Sequence, residues 1–83
     1  MNRNYNRLLT FDSTHQALQL ETILDTMDID FDIRPIPPAL YAGCGLAIEF
    51  KSEDIDTVKQ AITEHQVVSK SFYKKVDKQY IEL

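Results

Sequence analysis

The chain has one cysteine, two glycines, three prolines and no long uncharged run, and each scarcity excludes something. A lone thiol forms no internal disulfide and suits a reducing compartment. The longest segment without charge, residues 35–48, holds all three prolines and both glycines and falls short of the ~20 apolar residues that span a bilayer, so no transmembrane helix is expected. Met1 to Arg7 carries positive charge with no apolar block behind it, which does not read as a secretory signal and places the protein in the cytoplasm. There is no Gly-rich phosphate loop, no Ser-His-Asp arrangement and no second cysteine. One thiol gives a heavy-metal chaperone too few soft ligands, so no metal site and no bound cofactor are expected.

What is present is the mix of an ordinary folded domain, 43% apolar and 27% charged, and 83 residues leave room for one core. A single domain over 1–83 is expected, with a core about 7–76 and a tail at 77–83. The net charge of −4 is uneven. Residues 1–66 hold five Lys/Arg against eleven Asp/Glu, and residues 67–83 hold four against two. Such a surface repels phosphate backbones and interleaves no aromatics with a basic stripe, so nucleic acid is not an expected partner. Lys70, Lys74, Lys75 and Lys78 read as a solvated face.

Arg7–Phe11 is short, apolar and β-prone, and it stops at Asp12-Ser13-Thr14. Ser13 followed by Gln16 has capping-box spacing, and Ala17, Leu20, Leu24 and Met27 then give one apolar helix face to about Asp28. Phe31 and Ile33 alternate with Asp30, Asp32 and Arg34, a second strand that Pro35, Pro37 and Pro38 end. Asp30 and Asp32 read as solvated rather than as a catalytic pair. Leu46, Ile48 and Phe50 alternate with Ala47, Glu49 and Lys51 as a third strand. Ser52 is the expected cap of a second helix with Glu53 and Asp54 at its positive end and Ile55, Val58, Ala61 and Ile62 inward, ending near His65. Residues 71–76 alternate as a fourth strand.

This β-α-β-β-α-β order predicts an α+β fold, a ferredoxin-like sandwich with two helices on one face of a four-stranded antiparallel sheet and the other face open. Right-handed crossovers then gather three distant pieces at one end: the loop with Cys44, the helix start Ser13-Thr14-His15, and the helix end at His65.

A thiol reacts as its thiolate, and a free cysteine with pKa ~8.5 is only a few per cent ionised at neutral pH. A helix N-terminus favours the anion by about 0.3–1 kcal/mol when exposed. Ser13 and Thr14 add hydroxyl donors, His15 can exchange a proton, and Gly43 and Gly45 leave the sulfur unshielded. Cys44 also shares parity with Leu46, Ile48 and Phe50, so the first buried position of a strand fits it equally well. His65 suits a helix C-terminus as a favourable cation.

Phe11-Asp12-Ser13-Thr14-His15-Gln16-Ala17, Arg34-Pro35-Ile36-Pro37 and Cys44-Gly45-Leu46-Ala47, in this order and spacing, resemble the small bacterial proteins of the putative Se/S carrier protein-like family. The likeness covers about residues 7–75. It implies a carrier rather than an enzyme, holding sulfur or selenium as a persulfide or perselenide on Cys44. A cysteine desulfurase or selenium donor would load it and an acceptor protein would unload it. Small hydroxylated residues are expected before the cysteine in relatives, whereas Leu40-Tyr41-Ala42-Gly43 stands here. The alternative is an interaction or regulatory module that buries its open sheet face in a partner or a homodimer, with Cys44 as packing.

Overall fold

The computed structural model describes residues 5–40 and 45–83, so Gly43 and Cys44 lie outside the described residues. The elements are β1 (Arg7–Thr10), α1 (Thr14–Thr26), β2 (Phe31–Pro35), β3 (Leu46–Phe50), a short 3-10 turn (Ser52–Asp54), α2 (Ile55–Glu64), β4 (Ser71–Val76) and β5 (Gln79–Glu82). They form an α+β fold with one antiparallel sheet in the order β2-β3-β1-β4-β5. Every pairing is antiparallel, so β1 and β2 run one way and β3 and β4 the other, as the crossover argument requires.

The sheet has five strands where a four-stranded ferredoxin-like sheet was expected. The tail pairs with β4 through Tyr73↔Glu82, Lys74↔Ile81, Lys75↔Tyr80 and Val76↔Gln79. The hairpin turns on Asp77 (φ 49) and Lys78 (φ 68), both left-handed. Two positive φ values are what a tight hairpin demands, and Asn-Gly or Asp-Gly usually announces them. Asp-Lys does not, which is why the strand was hidden.

Side chains of one sheet parity meet the helices. Leu9, Phe11, Ile48 and Phe50 pack with Ala17, Leu20 and Leu24 of α1 and Val58 and Ala61 of α2, and Phe31, Ile33, Leu46, Ile55, Ile62 and Phe72 close the rim. Phe72 meets Phe50 edge to face at 6.2 Å between ring centres. Met27 does not join this face: it is the C-cap of α1 and is 40% exposed.

Both helices end by the same device. Asp28 (φ 60) and Gln66 (φ 54) take the left-handed conformation. The Ile29 and Val67 amides then reach back to the carbonyls of Leu24 (3.3 Å) and Ile62 (3.0 Å). These are Schellman turns, which satisfy end carbonyls and fold the next apolar residue onto the core. The start of α2 departs from expectation. Ser52 begins a 3-10 turn, and Asn6 does the capping, its Oδ1 accepting from the Ser52 amide at 2.8 Å.

The second sheet face is not open at its centre. Leu8, Thr10, Ala47 and Glu49 all project there and are each at most 5% exposed. Arg34, Pro35, Pro37, Pro38, Lys75 and Tyr80 line one cavity of about 410 Å³ on this side. β2 and β5 are opposite edges, about 19 Å apart in a flat sheet at ~4.8 Å per strand, so curl and long side chains bring them together. No helix among the described residues is long and apolar enough to cross a membrane.

Candidate functional site

α1 begins where β1 leaves the sheet. Ser13 is extended (φ −134, ψ 141) and its Oγ accepts from the Gln16 amide at 3.2 Å. That is half of the expected capping box. The other half is absent, because Gln16 does not return to Ser13: its Oε1 accepts from the Val68 amide at 3.0 Å. The capping pattern in the sequence thus hides a tertiary tie between the first turn of α1 and the segment that follows α2.

This tie has a geometric consequence. The Schellman turn at His65-Gln66 reverses the chain so that Val67 enters the core at 5% exposure and Val68 meets α1. His65 caps α2, and it lines one open groove of about 580 Å³ with His15, Leu18, Gln19, Thr22 and Ile23. The helix start and the helix end that topology was expected to gather are therefore together. Ser13, Thr14, His15 and His65 are all exposed.

Cys44 and Gly43 lie outside the described residues, and the described border of their loop is Ile36 and Gly45. The Ile36 amide donates to the Gly45 carbonyl at 2.9 Å, closing the connection at its base. Gly45 has φ +72, where a side chain is strained, although a Cβ there would meet nothing within 4 Å. The β1–β3 pairing ends at Thr10↔Ala47, so Gly45 precedes the last paired residue of β3 by two positions and Asp12 follows that of β1 by two, one residue before the cap of α1. Asp12 pairs with Lys70 at 3.7 Å, so this end carries a solvated ion pair.

Charge on the second face is arranged more tightly. Arg34 Nη1 donates to Glu49 Oε1 at 2.8 Å, with the Glu49 side chain 6% exposed and that of Arg34 56%. The hydrogen bond and the Coulomb attraction of Glu49 hold the guanidinium above its ordinary pKa, with smaller support from Tyr80 and Asp32. Sequence reasoning missed this group. Alternation placed Glu49 and Arg34 on the outward side, and nothing in it says that a carboxylate on an inner strand is covered.

Asp30 and Asp32 are exposed, as expected. Asp30 accepts from the Tyr5 hydroxyl at 2.6 Å and pairs with Lys51 at 3.2 Å. No group of three or more His, Cys, Asp or Glu suited to a metal ion occurs among the described residues.

The model of one protein family, described as putative Se/S carrier protein-like, matches residues 6–74. No curated protein and no solved structure shows significant similarity to the chain. The match spans β1 through the middle of β4, and leaves Lys75, Tyr80 and all of β5 outside it.

Proposed function

The chain belongs to the putative Se/S carrier protein-like family, and from that premise we propose that it is a sulfur or selenium carrier loaded on Cys44. The family match carries the reading, because it runs through the lone cysteine and its flanking glycines. In this reading the fold is a ferredoxin-like core extended by β5, and the protein works in the reducing cytoplasm.

The chemistry needs no outside oxidant. The Cys44 thiolate attacks the terminal sulfur of a persulfide on a donor such as a cysteine desulfurase. The new Sγ–S bond forms as the donor S–S bond breaks, and its electron pair leaves on the donor thiolate. An acceptor thiolate unloads the carrier by the same step in reverse, and a terminal selenium follows the same path.

Each step runs between anions, so groups that favour a charged sulfur matter. Ser13 Oγ accepts from Gln16 and leaves its O–H to donate outward. In this reading the start of α1, with Ser13 and Thr14, is the surround that favours the charged sulfur. His15 is the proton-exchanging group. Gly43 and Gly45 keep the sulfur accessible to a second protein. The rival reading, a partner or second copy buried against the second sheet face, would have to use the rim of that face, since Leu8, Thr10, Ala47 and Glu49 at its centre are each at most 5% exposed.

Loading is tested with a cysteine desulfurase and cysteine bearing radiolabelled sulfur. Label is expected on the wild-type chain, released by reductant. Equal labelling of Cys44→Ser would end the carrier reading.

A further inference from the structure

The curled second face holds a cavity of about 410 Å³ whose lining combines Arg34, Lys75, Tyr80 and the Pro35–Pro38 segment. Its size is within the usual range for small-ligand sites, roughly 300–1,000 Å³. On a chain of net charge −4 its lining, among the described residues, presents two cations and no carboxylate.

Arg34 is positioned rather than loose. Glu49, almost wholly buried on the adjacent strand, takes one guanidinium N–H at 2.8 Å. A guanidinium has five donors, so the rest remain for a ligand. Lys75 has no carboxylate partner among the described residues. Its ammonium lies 6.0 Å from the centre of the Tyr80 ring, where the π face steadies it. Tyr80 and the prolines supply rigid apolar walls that lose little entropy on binding.

We propose that this cavity binds a small organic oxyanion, with its phosphate or carboxylate group held between Arg34 and Lys75 and its flat or apolar body against Tyr80 and Pro37. Arg34 and the Pro35–Pro38 segment lie within the span of the family match, while Lys75 and Tyr80, from the C-terminal hairpin, lie beyond it. It is independent of sulfur carriage.

The test is an amide NMR titration of the Cys44→Ser protein at low salt, so that thiol chemistry plays no part. Phenyl phosphate, benzoate, inorganic phosphate and phenol are the probes. Phenyl phosphate is expected to give saturable shifts centred on Arg34, Ile36, Lys75 and Tyr80, while phenol gives none. Affinity is expected to fall about tenfold in Lys75→Gln and about tenfold in Tyr80→Ala, with the fold intact in both. The relative strength of benzoate then tells whether a carboxylate or a phosphate is preferred. No saturation by either organic anion, shifts centred elsewhere, or unchanged affinity in Lys75→Gln would overturn the proposal. Inorganic phosphate binding as tightly as phenyl phosphate would overturn the part assigned to Tyr80.

Discussion

Replacing Leu8 with alanine removes most of a side chain that is 1% exposed on the sheet face turned away from the helices. On a solvated face the same change would cost little, because a half-exposed leucine has little transfer energy to lose. Fully burying a leucine is worth about 1.5–3 kcal/mol. A cavity left in a face that cannot collapse adds to this, so Leu8→Ala should cost about 2–4 kcal/mol. A domain of this length has about 4–12 kcal/mol in total. The variant should therefore unfold at a clearly lower urea midpoint with an unchanged slope, and melt roughly 10–25 °C earlier. Leu18→Ala is the control, since Leu18 is 45% exposed and should change stability by no more than about 0.5 kcal/mol. If Leu8→Ala costs no more than Leu18→Ala, the second face is open and the reasoning about its cavity fails with it.

Ser13→Ala should lower stability by about 1 kcal/mol in urea unfolding, the usual cost of losing an N-cap acceptor, and Ser13→Asn should restore most of it. Gly45→Ala should cost about 1–2 kcal/mol from its φ of +72 alone, because a Cβ has open space there, and Gly45→Asn should cost less. The Asp30 carboxylate raises the Lys51 pKa through a hydrogen bond and Coulomb attraction. A raised value means that the pair's contribution is complete below the ordinary lysine value of 10.5 and is lost as pH rises through the folded-state value. The urea midpoints of wild type and Lys51→Met should accordingly converge at strongly alkaline pH, and a gap that widens there would contradict the assignment.

Where the sequence pattern was strong, it located the elements. The apolar spacing of Ala17, Leu20 and Leu24 and the alternation of Leu46, Ile48 and Phe50 each name one buried face, and those residues pack together. The features that escaped have local signals that point elsewhere. Gln16 has the spacing of a capping partner, yet its side-chain oxygen accepts from the Val68 amide, because a long-range donor was available just past the end of α2. Ser52 has the look of a cap, but Asn6, from another strand's approach, takes that role. β5 turns on Asp77, which suits such a turn, and on Lys78, which stands where glycine is preferred. The gathering of His15 and His65 was legible from topology, since crossover handedness fixes which ends of the elements coincide. The Arg34–Glu49 pair was not, because it depends on the β2–β3 register, and the cavity of Lys75 and Tyr80 was not, because it depends on the curl of the sheet; alternation encodes neither.

The central claim is that Cys44 is the atom that carries sulfur or selenium. Intact-mass spectrometry of the protein after incubation with a cysteine desulfurase and free cysteine, before and after reductant, tests it most directly. The account predicts a gain of one sulfur atom that reductant removes and that Cys44→Ser does not show. No gain in the wild type, with a thiol that also stays slow toward an alkylating probe at neutral pH, would contradict it.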